Sequence, residues 1–587
     1  MNRRPKILIA PIAAALLWAI LCVPVLSAQD TSPHAPTLIP PTLVPVVETA
    51  FVDALPTESG TARIVANNAV RIGILFNEIP FGELNIRGEI SGFDADLGRA
   101  VAEAWGITPE FIQVTRQTGP DMLQAGQIDL LIAAQPHLRG LDSRIEFSEA
   151  YYPSEQVMVL RDGDPVQALS EMANKRIGYI MGTRSEMALQ EWTNRTGITV
   201  TAQPYVNLDQ ALSGLTTGDV DGLVANRLHI QRAVTQPGVV RVLGEPVMPE
   251  PYAIGIRRMD TNLREMVDRT LQYLSHSGRL NEIHRANFNN VDYPAAMIVP
   301  WINIGDSAPT PAQFGTDIPT PTQYVIPRMQ NDRTLRVAGI RDVPPDAPES
   351  VRRLDTAHRA FINEIARRWN VTVVYVPDNG ANPLDLLAAG QADLVIGVEP
   401  DWNASGQAVF SEPYLMHGFQ LLTETSANIT GLGDLRGKGV GIFADESDAR
   451  AILTERAEAA RAIVDDVYQL ANESDAAFAI LVGTDLNLTA VFGDSMRLLP
   501  HLQANPDTLE LLSDSEGNPI FFSRHYLALA TPRADLDFEL LVDYTLQEMM
   551  RDGTLASVLA PVTTAQGIPP MEVWPGATDF LGFSVTG

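Results

Sequence analysis

Gly126-Gln127-Ile128-Asp129-Leu130-Leu131-Ile132 returns 264 residues later as Gly390-Gln391-Ala392-Asp393-Leu394-Val395-Ile396. Other phrases keep the same spacing. Phe147-Ser148-Glu149-Ala150-Tyr151 matches Phe410-Ser411-Glu412-Pro413-Tyr414 at an offset of 263, and Trp105 matches Trp369 at 264. Upstream, Arg71-Ile72-Gly73-Ile74 matches Arg336-Val337-Ala338-Gly339-Ile340. Chance does not hold an offset this steady over so many positions, so the chain reads as a tandem duplication.

Around each phrase, short apolar runs alternate with amphipathic stretches. In the first copy, 70–75 reads as a buried strand. Phe93, Leu97, Ala100 and Ala104 then form a helical stripe ending at Gly106. Strands are expected at 111–114, 130–134 and 175–180, with a helix at 121–125. Thr183-Arg184-Ser185-Glu186 has the spacing of a capping box and opens the next helix. Leu263, Val267, Leu271 and Leu274 mark a late helix with Gly278 beyond its end. This alternation predicts an α/β fold of mostly parallel sheets covered by helices. In such sheets ligands sit beyond the carboxyl ends of strands, at helix N-termini.

At 587 residues the chain is too long for one compact domain. Two Pro/Thr-rich stretches, 29–60 and 301–332, lack helical or strand period and are expected to be linkers. They separate a first module at 61–300 from a second at 333–565, with 566–587 as a C-terminal tail. Arg3, Arg4 and Lys6 precede an apolar run at 7–26, and Ser27-Ala28 offers a cleavage site, so 1–28 reads as a signal peptide. An uncleaved membrane anchor is the alternative. The net charge of −29 argues against nucleic-acid partners, which need clustered Lys and Arg. Cys22 is the one cysteine, so no intrachain disulfide or multi-cysteine metal centre is expected. The nine His are scattered without metal-ligand spacing, and the sequence points to no cofactor.

In order along the first copy stand Pro80-Phe81, Gly92-Phe93-Asp94-Ala95-Asp96-Leu97, the Gly126 and Phe147 phrases, Gly182-Thr183-Arg184-Ser185-Glu186, Gly218-Asp219-Val220-Asp221 and Glu250-Pro251-Tyr252-Ala253-Ile254-Gly255-Ile256. This series resembles the periplasmic solute-binding proteins of polar amino-acid ABC transporters. The resemblance implies two periplasmic-binding-protein-like modules, each of two α/β lobes joined by two crossovers and closing on a ligand. It places the first module's crossovers near 161–164 and 245–251, with the second lobe at 162–248.

It also implies a site. In that family an Arg after the Gly-x-x-Asp strand grips an α-carboxylate, donors at a helix N-terminus assist, and an Asp on the second lobe takes the ammonium. Here the Arg position falls on Leu141, with Arg139 two residues earlier as the substitute. The small hydroxyl position falls on Pro136, beside Gln135. The ammonium Asp becomes Asn226, the first-loop aromatic becomes Glu78 near Phe81, and the pocket-wall position becomes Arg116. Thr183, Arg184 and Ser185 keep the helix-terminus site. Arg116, Arg139 and Arg184 in one cleft lead us to expect an anionic or amino-acid-like ligand. The second copy reads oppositely. Its Arg position is Ala404, near Glu399 and Asp401. Its helix-terminus loop is Ala444-Asp445-Glu446-Ser447-Asp448, Asp494 is retained, and Arg341 is the first-loop cation. That cleft is expected to take a cationic ligand or none.

The function expected is extracytoplasmic capture of a small polar molecule, an amino acid or organic acid, for an ABC permease or a membrane sensor. The alternatives are a dehydratase acting on prephenate-like acids, with Glu78, Arg116 and Arg184 in its cleft, and a sensory or partner-binding ectodomain.

Overall fold

A computed structural model describes residues 56–587 apart from 295–296, 476–479 and 481–487. The expected signal peptide and most of the first linker lie outside the described residues.

The first module has two sheets. One runs Thr108–Gln113, Ala69–Ile74, Leu130–Leu131, Tyr252–Arg257 and Ile145–Tyr152. The other runs Thr201–Tyr205, Arg176–Ile180, Gly222–Asn226, Glu155–Arg161 and Val240–Pro249. The first three strands of each are parallel; the two that carry the chain between lobes run antiparallel to their neighbours. The sheets are therefore mixed rather than mostly parallel. The crossings fall at 152–155 and 249–252, so the second lobe begins earlier than the expected residue 162. Glu155–Arg161 explains the shift. Val157, Met158, Val159 and Leu160 are fully buried, and they belong to a strand whose partners all lie in the second lobe.

The repeated phrases are clasps. Asp129 accepts from the Arg71 backbone N–H at 2.8 Å and pairs with its guanidinium. Asp393 does the same for Arg336, at 2.6 Å, and Asp221 for Arg176 in the second lobe, at 2.9 Å. Each Gly-x-x-Asp thus locks the start of one strand to its parallel neighbour. The Ser148 hydroxyl accepts from Ile254 N–H and that of Ser411 from Leu529 N–H, both at 3.0 Å. The indoles of Trp105 and Trp369 donate to Thr270 and Thr545 of the late helices.

In the second module the corresponding sheets run Thr372–Tyr375, Thr334–Ala338, Leu394–Val398, His525–Pro532, Ala408–Phe410 and Asp466–Leu470, Gly439–Phe443, Leu488–Asp494, Phe419–Glu424, Leu509–Leu511. Its expected boundaries change at both ends. Val325–Asp332 is a helix with Val325, Ile326 and Met329 buried in the module's core, so the expected linker 301–332 ends in a structural element. The expected tail at 566–587 supplies Trp574, Phe583 and Val585 to the same core.

The modules are packed together through their late helices, Thr261–His276 and Leu536–Arg551. Arg264 grips Glu539 with two bonds, at 2.6 and 2.9 Å, and Arg533 grips Glu265 at 2.8 and 2.9 Å. Trp301 stacks on Trp402, whose indole donates to Gln272 at 2.8 Å. Trp574 stacks on His137 of the first module with ring centroids 3.8 Å apart.

Candidate functional site

The two lobes of the first module face each other beside the two crossings, where its parallel strands end. Glu78, on the short first-lobe strand Asn77–Glu78, receives Arg116 Nη2 at 3.2 Å, and His229 Nε2 lies 3.3 Å from its other oxygen. His229 belongs to the second-lobe helix Arg227–Ala233, so this pair spans the cleft, and Arg232 from the same helix reaches the Ile79 carbonyl. Burial alone would raise the Glu78 carboxyl. The His229 and Arg116 contacts outweigh it and hold the group below the usual carboxylate range. Arg116 Nε is buried without a partner.

Arg184 opens the helix Arg184–Thr196, as the capping signature implied. Its Nε donates to Glu250 at 2.6 Å, and Gln156 Nε2 donates to the other Glu250 oxygen at 2.9 Å. Glu250 sits on the second crossing and is wholly buried. Arg184 Nη2 is buried with no partner. The guanidinium is therefore anchored at one edge and unsatisfied at the other. Thr183 and Ser185 spend their side chains locally. The Thr183 hydroxyl accepts from Ser185 N–H, and that of Ser185 accepts from Ile180 N–H.

Asn226 caps the helix Arg227–Ala233 by accepting from Leu228 N–H at 3.0 Å, and its amide donates to Ser154 at 3.0 Å. Replacing the expected Asp by Asn keeps the cap and removes the charge. Phe81 is buried among Tyr152, Tyr252, Phe93 and Phe288, forming the apolar floor. Gln135 is buried, donates to Pro136 O, and leaves its own carbonyl oxygen unpartnered. Asp94, buried beneath this loop, accepts from Ala134 N–H at 2.7 Å and from the Tyr151 hydroxyl at 2.9 Å. Burial pushes its carboxyl up to about 7 in spite of those donors.

Arg139 is not in the cleft. It begins a short 3-10 turn that faces the other module. There its buried guanidinium pairs with Glu548 at 3.0 Å, donates to Gln547 and Ala577 O, and lies over the Tyr544 ring. Of the three arginines expected to share the cleft, Arg139 is thus turned to the module interface, which leaves Arg116 and Arg184 as candidates. Each of the two faces a carboxylate that sequence reading assigned no such role: Glu78 for Arg116, Glu250 for Arg184.

The second module's cleft is likewise compensated. Asp494 caps the helix Ser495–Ala504 and lies 2.7 Å from His417 Nδ1; Glu399 lies 2.8 Å from His525 Nδ1. The expected acidic loop meets Arg497, which pairs with Asp445 at 2.8 Å and Glu446 at 3.3 Å. Burial still raises Glu446 to about 7. Arg341 is largely exposed and paired with Asp378. Glu473, from the second lobe, receives both the backbone N–H and the hydroxyl of Ser350 at 2.9 and 2.6 Å. Ser350 lies at the N-terminus of the first-lobe helix Glu349–Trp369, so a side chain of the protein occupies that helix end. Arg497 and the Glu473–Ser350 bridge were missed because their partners stand far apart in sequence. Among the described residues no group of three or more His, Cys, Asp or Glu is placed to hold a metal ion. Among them, too, no helix is long and apolar enough to cross a membrane.

The family model of bacterial extracellular solute-binding proteins, family 3, matches residues 70–290 and again 357–561, together well over half of the chain. The chain belongs to that family, and its fold is two consecutive modules of the type II periplasmic-binding-protein kind. The ABC transporter glutamine-binding protein GlnH of Bacillus subtilis (strain 168) is 23% identical over 229 residues, covering 38% of this chain and 82% of that protein. The lysine/arginine/ornithine-binding periplasmic protein of Escherichia coli (strain K12) is 24% identical over 229 residues, covering 38% and 87%. Among solved structures, an ancestral arginine-binding protein bound to arginine is 27% identical, covers 38% of this chain and 98% of its own, and has a TM-score of 0.31.

Proposed function

We propose that the first module captures a small polar, amino-acid-like ligand outside the cytoplasm, for an ABC importer or a sensor. The observation that carries this reading is a guanidinium nitrogen of Arg184 left without a partner, together with a carboxylate, Glu78, that bridges the lobes. Arg184 is fixed by Glu250 with one buried nitrogen still unpartnered, and Glu78 bridges the lobes through groups that a ligand ammonium can displace. A carboxylate on Arg184 completes the guanidinium's bonding, and an ammonium on Glu78 replaces His229. Because Glu78 and Glu250 offset the two arginines, a zwitterion or a monocarboxylate suits the cleft better than a multiply charged anion. Binding, rather than turnover of a prephenate-like acid, is favoured by the names of the relatives, which are binding proteins.

For the second module we propose a role other than capture of the same ligand. Glu473 bridges its lobes, and Arg497 is spent on the protein's own carboxylates. Thermal unfolding of the full chain against a panel of amino acids and organic acids tests the reading. A true ligand at about 100 times its dissociation constant adds roughly 2.7 kcal/mol. Prephenate consumed on incubation would favour the enzyme instead.

A further inference from the structure

The duplication has placed one polar motif on both sides of the module interface. In the first module Glu149 N–H donates to Asp268 at 2.9 Å, and Gln272 Nε2 donates to Glu149 Oε1 at 2.6 Å. In the second, Glu412 N–H donates to Asp543 and Gln547 Nε2 donates to Glu412 Oε1, both at 3.2 Å. Glu572 ties the two together. It accepts from Ala150 N–H at 2.8 Å and from the Trp574 indole at 2.9 Å, while its own N–H donates to Glu412 Oε2 at 2.6 Å. All five carboxyls border one cavity of about 140 Å³ between the modules.

The donors reaching these five groups are amides and one indole. Of the surrounding cations, Arg269 lies over the Trp402 ring and reaches the Ile304 carbonyl, and Arg264, Arg533, Arg258 and Arg139 are engaged with other carboxylates. From the helix Thr261–His276, Arg264 holds Glu146 at 3.0 Å and Glu539 at 2.6 Å. Glu265 is held by Arg533, Asp537 by Arg258 and Glu548 by Arg139. His137 stacks between Phe147 and Trp574 and meets Asp142 at 3.0 Å, and Asp142 also takes the Tyr544 hydroxyl. Glu149 Oε2 is buried with no donor in reach. Ionised carboxylates buried this way are costly. A protonated carboxyl carries no charge and gains an O–H donor, so protonation relieves that cost.

We propose that docking of the two modules is coupled to protonation of the five carboxyls around their shared cavity, Glu149 and Asp268 on one side and Glu412, Asp543 and Glu572 on the other, so that docking is tight in mildly acidic surroundings and weakens as pH rises. This stands apart from the cleft reading and does not depend on it.

The direction follows from burial first and like-charge neighbours second. Burial and then Asp268 raise Glu149 well above the usual carboxylate range, and burial with Glu572 and Asp543 does so for Glu412. Burial raises Asp268 to about 7, lifts Glu572, and takes Asp543 well up. On the adjoining strand Glu146 also rises to about 7 in spite of Arg264. Groups with a higher pKa docked than undocked bind more protons when docked. Their contribution is complete below the ordinary carboxylate range and is lost as pH climbs from there through the docked values. Each proton held only by the docked form lowers the docking equilibrium about tenfold per pH unit.

The test compares the full chain with its Glu149→Gln, Glu412→Gln, Glu572→Gln variant by small-angle scattering and thermal unfolding, between about pH 5.5 and about pH 8.5. The parent should expand and melt earlier at the alkaline end. The variant should stay compact at both ends and melt above the parent at the alkaline end. An infrared band of protonated carboxyls in the parent at neutral pH, bleaching as the chain expands, gives the same answer without any variant. A parent whose compactness ignores pH, or the absence of that band, overturns the proposal. So does a variant weakened equally at both ends, the result expected if a cation sits among ionised carboxylates.

Discussion

Arg184→Ala separates the two jobs of Arg184. Its guanidinium is the one cation bonded to Glu250 among the described residues, and Glu250 is wholly buried with Gln156 as its other side-chain donor. Removing one member of a buried pair costs about 3–5 kcal/mol. Arg184 keeps 23% of its side chain exposed, so water can partly replace it. The loss should fall at or below the lower end of that range, about 2–3 kcal/mol. Converting Glu250 to Gln in the same chain removes the stranded charge. The double variant Arg184→Ala, Glu250→Gln should regain most of that stability, a coupling of about 2 kcal/mol by double-mutant cycle. It should not regain ligand. A lost charged hydrogen bond of about 1.5–3 kcal/mol weakens affinity roughly 10- to 150-fold. Urea unfolding supplies the cycle and calorimetry the affinity. A coupling near zero, or a double variant that binds as tightly as the parent, would refute the argument.

Three further outcomes are expected. Truncation after residue 565 removes Trp574, Phe583 and Val585 from the core. It should cost roughly 5 kcal/mol or more, read as a lower urea midpoint, since each buried large apolar side chain contributes about 1.5–3 kcal/mol. His358, buried against the Tyr414 hydroxyl, is lowered by that burial to about 4. Its unfolded form takes up a proton first, so it contributes stability that is lost as pH falls from about 6.5 towards 4, and His358→Gln should flatten that part of the stability profile. Glu473→Gln and Ser350→Ala should each raise amide exchange at the start of the helix Glu349–Trp369 without altering ligand binding by the first module. Unchanged exchange would mean that the bridge does not hold those lobes.

The repeat was legible because its phrases do structural work that identical residues perform twice. Asp129 and Asp393 each tie down an Arg one strand away, and Ser148 and Ser411 each hold a backbone N–H of the returning strand. The helix Val325–Asp332 was missed. Val325, Ile326 and Met329 have helical spacing, but the Pro and Thr before them masked it. The cleft was legible in part. Counting along loops put Glu78, Arg116 and Arg184 on segments that follow strand ends, and there the structure pairs Glu78 with Arg116 and Arg184 with Glu250. Arg139 stands in a short 3-10 turn and meets partners of the other module, which periodicity along one copy does not reveal. Charge partners were hidden most completely. Glu250 stands 66 residues from Arg184, and the carboxyls of the interface are joined only when both modules have folded.

The most direct measurement is calorimetry of the full chain against amino acids and organic acids, repeated with Glu78→Ala. The expected result is a zwitterionic or monocarboxylate ligand at one site per chain, with affinity falling sharply in the variant. Two equal sites per chain, or full affinity without Glu78, would contradict a first-module cleft that works by opposite charges and a second module that does not share its ligand.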